Sequence, residues 1–257
     1  MSFIIQQRSD GISTLTLNRA SKRNALSREL LDELSSTLSS LGDDHSLRAL
    51  ILTGAGDAFS AGTDISELTS LTEAEALETS SRGQKICDEI ESFPVPVIAA
   101  INGVAAGGGC ELALACHLRV AATSATFSLP ETRLGLMPAY GGTQRLTRDI
   151  AVARALEMMV AGKQIDATSA LEFGLVNRVV EPDQLLVAAG ELATRIASLA
   201  PLAIRACLKA VNEGLKLPFE EGLELERELF ASLLETEDAK EGTRAFLDKR
   251  APVFRGQ

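Results

Sequence analysis

Short β-branched apolar runs alternate along the chain with longer stretches in which leucines recur every three or four residues. Residues 3–7 and 13–17 flank Asp10-Gly11, a strong turn dipeptide, and polar and apolar positions alternate from Ser13 to Leu17. That pattern predicts an opening β-hairpin. Residues 47–53 (LRALILT) and 95–101 (VPVIAAI) are continuous apolar runs, which suits strands buried on both faces. Residues 118–122 and 126–129 read as two short strands and 175–180 as a last one. Between these runs the period lengthens. Ser27 is a good N-cap for a helix carried by Leu30, Leu31, Leu34, Leu38 and Leu41, and Thr72 caps a charged amphipathic segment over 71–93 that Pro94 and Pro96 end. A helix is predicted over 151–161, then a short one capped by Asp166 and stopped at Gly174. From 183 to 250 the pattern is helical throughout, in segments 185–199, 202–215, 219–234 and 238–249. Strand, strand, helix thus recurs from residue 3 to about residue 160, predicting a spiral of β-β-α units followed by a helical end that docks on the domain or on a neighbouring copy.

Composition narrows the class. With 257 residues, 46% of them hydrophobic and 23% charged, the chain is an ordinary soluble globular protein of one large domain, or one domain and an appendage. A formal net charge of -10 argues against general nucleic-acid binding and against adhesion to anionic membranes. An anionic ligand therefore needs a local basic site, and Arg19, Lys22 and Arg23 form either such a site or a solvated loop. No stretch approaches the roughly 20 apolar residues of a membrane span, and the N-terminus lacks the pattern of a secretory signal. Cys87, Cys110, Cys116 and Cys207 form no C-x-x-C pair and read as buried reduced thiols, which fits a reducing compartment and a cytoplasmic location. His45 and His117 have no clustered ligand partners, so no metal site is expected.

The candidate chemistry centres on Asn102 to Glu111, where Gly107-Gly108-Gly109 separate an apolar run from helix-forming sequence. Bare backbone at a helix entrance leaves unpaired N–H groups and the positive end of the helix dipole facing outward, a place suited to an anion or oxyanion. The same glycines also suit close strand-helix packing alone. Glu111 falls about one turn inside, where the dipole favours its ionised form. Gly54 and Gly56 begin a dinucleotide-like fingerprint, but Phe59 stands where its third glycine belongs, so that site is rejected; no phosphate-binding loop and no G-x-S-x-G elbow occurs either. Ala61-Gly62-Thr63 is a second source of free N–H groups. Pro130 holds Glu131 at a defined exit angle. Residues 135–146, glycine- and proline-punctuated, precede a helix start and read as a pocket lining or a loop, and Tyr140, the single tyrosine, as a lining or a packing residue.

Taken in order, Lys22-Arg23-Asn24-Ala25-Leu26, Phe59-Ser60-Ala61-Gly62-Thr63-Asp64-Ile65, Ile101-Asn102-Gly103 with Gly107-Gly108-Gly109-Cys110-Glu111-Leu112-Ala113, Pro130-Glu131 and Gly141-Gly142-Thr143-Gln144-Arg145-Leu146 resemble the enoyl-CoA hydratase/isomerase, or crotonase, superfamily. Residues 170–180 and 245–250 extend the resemblance over essentially the whole chain. It implies an α/β fold, the ClpP/crotonase spiral of β-β-α units, with a catalytic core over 1–195 and a C-terminal helical region over 196–257 that covers the active site and assembles trimers or dimers of trimers.

The resemblance also implies roles. The backbone N–H groups of Thr63 and Gly108 form an oxyanion hole for a thioester carbonyl, although Thr63 replaces the more usual alanine. Glu111 positions and deprotonates water, and Glu131 delivers the C2 proton, with the reverse division open. Isomerases of the family need one of the two acids, so the pair favours hydration of a 2-enoyl-CoA over double-bond isomerisation and over a non-catalytic CoA-ester binder. Lys22, Arg23, Ala25, Ala61, Asp64, Ile65, Tyr140 and Lys249 are the implied substrate and coenzyme A contacts, with Lys22 and Arg23 near its phosphates and Lys249 matching a C-terminal lysine that can reach a neighbouring subunit's ligand. Coenzyme A enters as part of the substrate, and no separate cofactor is implied.

Overall fold

The hairpin at the start of the chain seeds a sheet that carries the rest of the molecule; the computed structural model describes residues 2–257. Strands β1 (Ile4–Ser9) and β2 (Ile12–Leu17) pair antiparallel around Asp10-Gly11, with Gly11 at φ +74°. Helix α1 (Arg28–Gly42) follows Ser27, whose side chain accepts the Leu30 N–H, and it buries the five predicted leucines. Each fully buried leucine contributes about 1.5–3 kcal/mol.

Three β-β-α turns come next. In the first, β3 (Ala49–Gly54) and β4 (Ala58–Ser60) lead to α2 (Glu73–Glu91), which begins with a capping box between Thr72 and Glu75. In the second, β5 (Val97–Ile101) and β6 (Val104–Ala106) lead to α3 (Gly108–Ala115). In the third, β7 (Leu118–Ala122) and β8 (Thr126–Ser128) lead through a 3-10 turn, Glu131–Leu134, to α4 (Gly142–Asp149). Then come α5 (Val152–Val160), β9 (Ile165–Asp166), α6 (Ala167–Glu172) with its Asp166 cap, β10 (Arg178–Val180) and α7 (Leu185–Ala197). The chain ends in α8 (Pro201–Gly214), α9 (Phe219–Leu233) and α10 (Glu237–Leu247).

The long strands make a six-stranded sheet in the order β1-β2-β3-β5-β7-β10, parallel from β2 onward, and the short ones a four-stranded sheet β4-β6-β8-β9. The apolar runs read as doubly buried strands are so for a reason of period. Leu50, Leu52, Val97, Ala99 and Ile101 face the core shared with α1, α2 and α3, while Ala49, Ile51, Ile98 and Ala100 face a second core closed by Leu185, Ala188, Ala189 and Ala193 of α7. Both parities are apolar, so the sequence shows no alternation.

Three features differ from the sequence reading. Of the short sheet only β8 matches a predicted strand; Ala58–Ser60, Val104–Ala106 and Ile165–Asp166 escaped because strands of two or three residues show no period. The predicted strand over 175–180 shortens to Arg178–Val180, with Leu175 and Val176 buried as irregular chain. Cys87, Cys110 and Cys116 are buried free thiols, but Cys207 is exposed, because α8 buries none of its residues. Among the described residues no single helix is long and apolar enough to cross a membrane.

Candidate active site

The site is built where the β-β-α turns change sheets. Gly107 ends β6 with φ +51° and ψ -130°, and α3 starts at Gly108, so the first amides of this helix point away from it unpaired. The loop after β4 runs across that helix entrance. Leu26 donates to the Gly62 carbonyl and accepts from Asp64 N–H, an isolated parallel bridge to Thr63. Because Leu26 engages the residues on either side of Thr63, the N–H and C=O of Thr63 itself face the opposite way. A Cβ at Gly62 would stand 3.1 Å from Gly108 N, and one at Gly108 would stand 3.1 Å from Thr63 Oγ1 and 2.9 Å from Tyr140 Cε2. Glycine at 62 and 108 thus brings two backbone segments together with their amides bare.

Two carboxyls face the same space. Glu111, in the first turn of α3, is 2% exposed, and its Oε1 accepts N–H bonds from Tyr140 (2.8 Å) and Gly142 (2.7 Å). Burial pushes this acid above the ordinary carboxylate range, and the amides of Gly142, Tyr140 and Ala139 pull it back. The expectation that the helix dipole keeps Glu111 ionised is therefore corrected: desolvation is the largest influence here. Glu131 opens the 3-10 turn after Pro130, half-buried against Gly107, where a Cβ would stand 3.1 Å from its Oε1. Its Oε2 is buried without a hydrogen-bond partner among the described residues. Burial, and further the charge of Glu111, push Glu131 up to about 7.

A raised carboxyl binds its proton more tightly folded than unfolded, so the native state loses stability as pH climbs from the ordinary carboxylate value through about 7. Glu131→Gln, which removes the titration, is expected to raise the melting temperature relative to the parent more at pH 8 than at pH 5. Equal shifts at both pH values, by calorimetry, would place Glu131 in an unstrained setting.

Ala61, Gly62, Thr63, Gly108, Glu111 and Glu131 line one cavity of about 380 Å³. Its far wall is apolar, with Ile65, Leu68, Leu71, Leu134, Leu136 and Met137, and its described lining comes entirely from residues between Ala61 and Tyr140. Of the residues singled out in the sequence, the structure brings Thr63, Gly108, Glu111, Glu131, Ala61, Ile65 and Tyr140 together there. It does not bring Lys22, Arg23, Ala25, Asp64 or Lys249 to the wall. Asp64 accepts from Ser66 and pairs with Arg19 at 2.6 Å, which hold its carboxyl well below the usual range. Arg23 lies 3.5 Å from Asp57 and is exposed, as are Lys22 and Lys249.

Sequence reasoning did not foresee the Tyr140 and Gly142 amides as the holders of Glu111. The signal was the Gly141-Gly142 pair: Gly141 sits at φ +102°, and a Cβ at Gly142 would be 2.8 Å from Glu111 Oε1. Among the described residues no group of three His, Cys, Asp or Glu side chains is arranged to hold a metal ion.

Bare backbone amides beside one buried and one half-buried acid, in a cavity with apolar walls, are a setting suited to a protein that handles developing charge on a carbonyl oxygen. The chain matches the Enoyl-CoA hydratase/isomerase family over residues 7–257 and belongs to it. It is 40% identical over 252 residues to a crotonyl-CoA hydratase from Syntrophomonas wolfei, covering 98% of this chain and 97% of that protein. A short-chain-enoyl-CoA hydratase from Clostridium acetobutylicum is 39% identical over 248 residues, covering 96% and 95%. The crystal structure of an enoyl-CoA hydratase from Bacillus anthracis superposes with a TM-score of 0.96 at 40% identity, covering the whole of both chains, so the fold is crotonase-like.

Proposed function

We propose that this chain is an enoyl-CoA hydratase, adding water reversibly and syn across the 2,3 double bond of a 2-enoyl-CoA to give a 3-hydroxyacyl-CoA. The observation that carries the reading is the convergence of Glu111 and Glu131, both with raised proton affinity, on one cavity beside the Thr63 and Gly108 amides. The thioester oxygen gains charge as C2 takes on enolate character, and two preorganised N–H donors stabilise it by about 3 kcal/mol each. Glu111 takes the proton of the attacking water while its Oε1 stays anchored on two amides. Glu131, protonated up to about pH 7, gives its proton to C2. Both acids line one cavity, and addition of water and proton from that one side would be syn.

The apolar wall suits the acyl chain, and coenzyme A, as part of the substrate, reaches out toward exposed Lys22 and Arg23, with Lys249 serving a neighbouring subunit's ligand. No separate cofactor takes part. We further propose a trimer or dimer of trimers, with the core over 1–195 and the assembly region over 196–257. In support, α8 and α9 bury none of their residues, and Val211, Leu215, Phe219, Phe230, Phe246 and Leu247 are exposed apolar side chains. A cytoplasmic location is in keeping with four free cysteines, and the net charge of -10 speaks against nucleic-acid or membrane partners.

Crotonyl-CoA incubated with the purified protein is expected to lose its enoyl-thioester absorbance, and in isotopically labelled water the product gains one solvent oxygen. Failure on every short and medium 2-enoyl-CoA would overturn the reading. Conversion of a 3-enoyl-CoA without oxygen uptake would replace it with isomerisation.

A further inference from the structure

Arg145 lies outside the cavity, yet every nitrogen of its guanidinium is bonded. Nε and Nη2 donate to Glu91 Oε2 at 3.1 and 2.8 Å, Nη2 also donates to Asp88 Oδ1 at 2.6 Å, and Nη1 donates to the Tyr140 carbonyl at 3.0 Å. Its side chain is 14% exposed. The arginine, from the first turn of α4, therefore ties the C-terminal acids of α2 to the loop 139–142. That loop is bolted from other sides as well. Ser80 Oγ and Gln84 Nε2 of α2 donate to the Ala139 carbonyl at 2.8 and 3.1 Å. The Tyr140 ring is wedged between α2 and α3: a Cβ at Gly83 would fall 2.0 Å from its Cδ1, and one at Gly108 would fall 2.9 Å from its Cε2. The Ala139–Tyr140 peptide held by Ser80 and Gln84 delivers the Tyr140 N–H to Glu111 Oε1, the Gly141–Gly142 peptide delivers the second N–H, and the carbonyl that Arg145 holds belongs to the peptide between them. Even the glycine that turns the loop is shaped to the arginine, since a Cβ at Gly141 would stand 2.2 Å from Arg145 Nη1.

We propose that Arg145 is a positioning residue for the hydration reaction: its planar fork, braced on Glu91 and Asp88, holds the Tyr140 carbonyl so that the Tyr140 and Gly142 amides stay aimed at Glu111. This rests on the hydratase reading above. An arginine suits the task because a rigid fork satisfies a carboxylate and a carbonyl at once, which the point charge of lysine does not. Loosening the loop withdraws two donors from a buried carboxylate and raises its proton affinity. The other ionisable groups facing Glu111 are Cys87 from α2, Cys110 beside it on α3, Glu131 from the 3-10 turn and Tyr140 from the loop itself, and none of them replaces those donors.

The test compares Arg145→Gln, Arg145→Lys and Glu91→Gln with the parent, full-length in each case. For crotonyl-CoA, Arg145→Gln is expected to lower kcat about 100-fold, the loss typical of a displaced catalytic group. KM should stay within about threefold, because neither side chain lines the cavity. Arg145→Lys, which keeps the charge without the fork, should recover only part of the loss, and Glu91→Gln should move kcat in the same direction by less. The acid limb of the kcat profile should shift to higher pH in all three. The Glu111 carboxyl titration is read separately by NMR on protein labelled at glutamate carboxyls, assigned with Glu111→Gln, and should move upward in Arg145→Gln. A parental kcat and pH profile in Arg145→Gln, full recovery with lysine, or a change in KM alone would overturn the proposal. If Arg145→Gln does not fold, Glu91→Gln decides the matter by the same profile. If the parent hydrates no enoyl-CoA, the reaction reading falls, while the Glu111 titration still tests the positioning role by itself.

Discussion

Glu111→Gln is expected to reduce turnover of crotonyl-CoA by about three orders of magnitude with little change in KM, the middle of the range for losing a positioned general base. Glutamine is nearly isosteric. Its carbonyl oxygen can still accept the Tyr140 and Gly142 N–H bonds that Glu111 Oε1 accepts at 2.8 and 2.7 Å, so the loop and the cavity keep their shape. What is lost is the oxygen that takes a proton from water; an amide NH2 donates where a base must accept. The effect therefore belongs on kcat, which steady-state absorbance measurements separate from KM. Glu131→Gln should fall by a similar factor for the opposite reason, since it can no longer hand a proton to C2. With Glu131 pushed up to about 7 and proposed as the proton donor, hydration by the parent should decline as pH rises through that value. Full activity in Glu111→Gln would mean that the two-acid mechanism does not operate in this protein.

Gly109→Ala is expected to damage both stability and catalysis. A Cβ at this position would lie 2.3 Å from the Ser60 carbonyl oxygen and 2.7 Å from Ser60 Cβ, so α3 and the end of β4 are forced apart. Neither partner is free to give way: Ser60 is fully buried and donates its hydroxyl to the Asn24 carbonyl at 2.8 Å, and Gly109 lies in an α3 whose every residue is buried. Overpacking of this kind costs about 1–3 kcal/mol. The catalytic loss should exceed what partial unfolding explains, because the two amides proposed to hold the oxyanion sit immediately beside the collision, Gly108 on one segment and Thr63 three residues beyond Ser60 on the other. Denaturant midpoint and kcat, measured on the same preparation below its unfolding transition, separate the two effects. Parental values for both would mean that the segments slide apart at no cost and that the close approach is not needed.

Capping and period were readable directly from the residues. Ser27, Thr72 and Asp166 cap the helices they precede, and the leucine stripe from Leu30 to Leu41 is the buried face of α1, because each of these signals lies within a few residues of what it organises. The ordered motifs placed the chain in its family for a related reason: glycines and acids at fixed spacing record close backbone approaches that few folds require.

Long-range contacts decided the rest. The four-stranded sheet is made of segments of two or three residues that hold together only by pairing with one another. Glu111 read as a first-turn acid favoured by a helix dipole, yet its protonation balance is set by how completely α3 is buried and by amides some 30 residues further along the chain. In the sequence Arg145 stood out only as part of the Gly141–Leu146 motif, and folding set it between the acids of α2 and the Tyr140 carbonyl. By itself the sequence determined the longer elements, their caps, the two acids and the glycines before the first of them, since these depend on local backbone preference and residue chemistry. The tertiary structure decided which amides hold Glu111, how far water is removed from both carboxyls and which cations stand off the cavity, since desolvation and hydrogen-bond geometry exist only once distant segments meet.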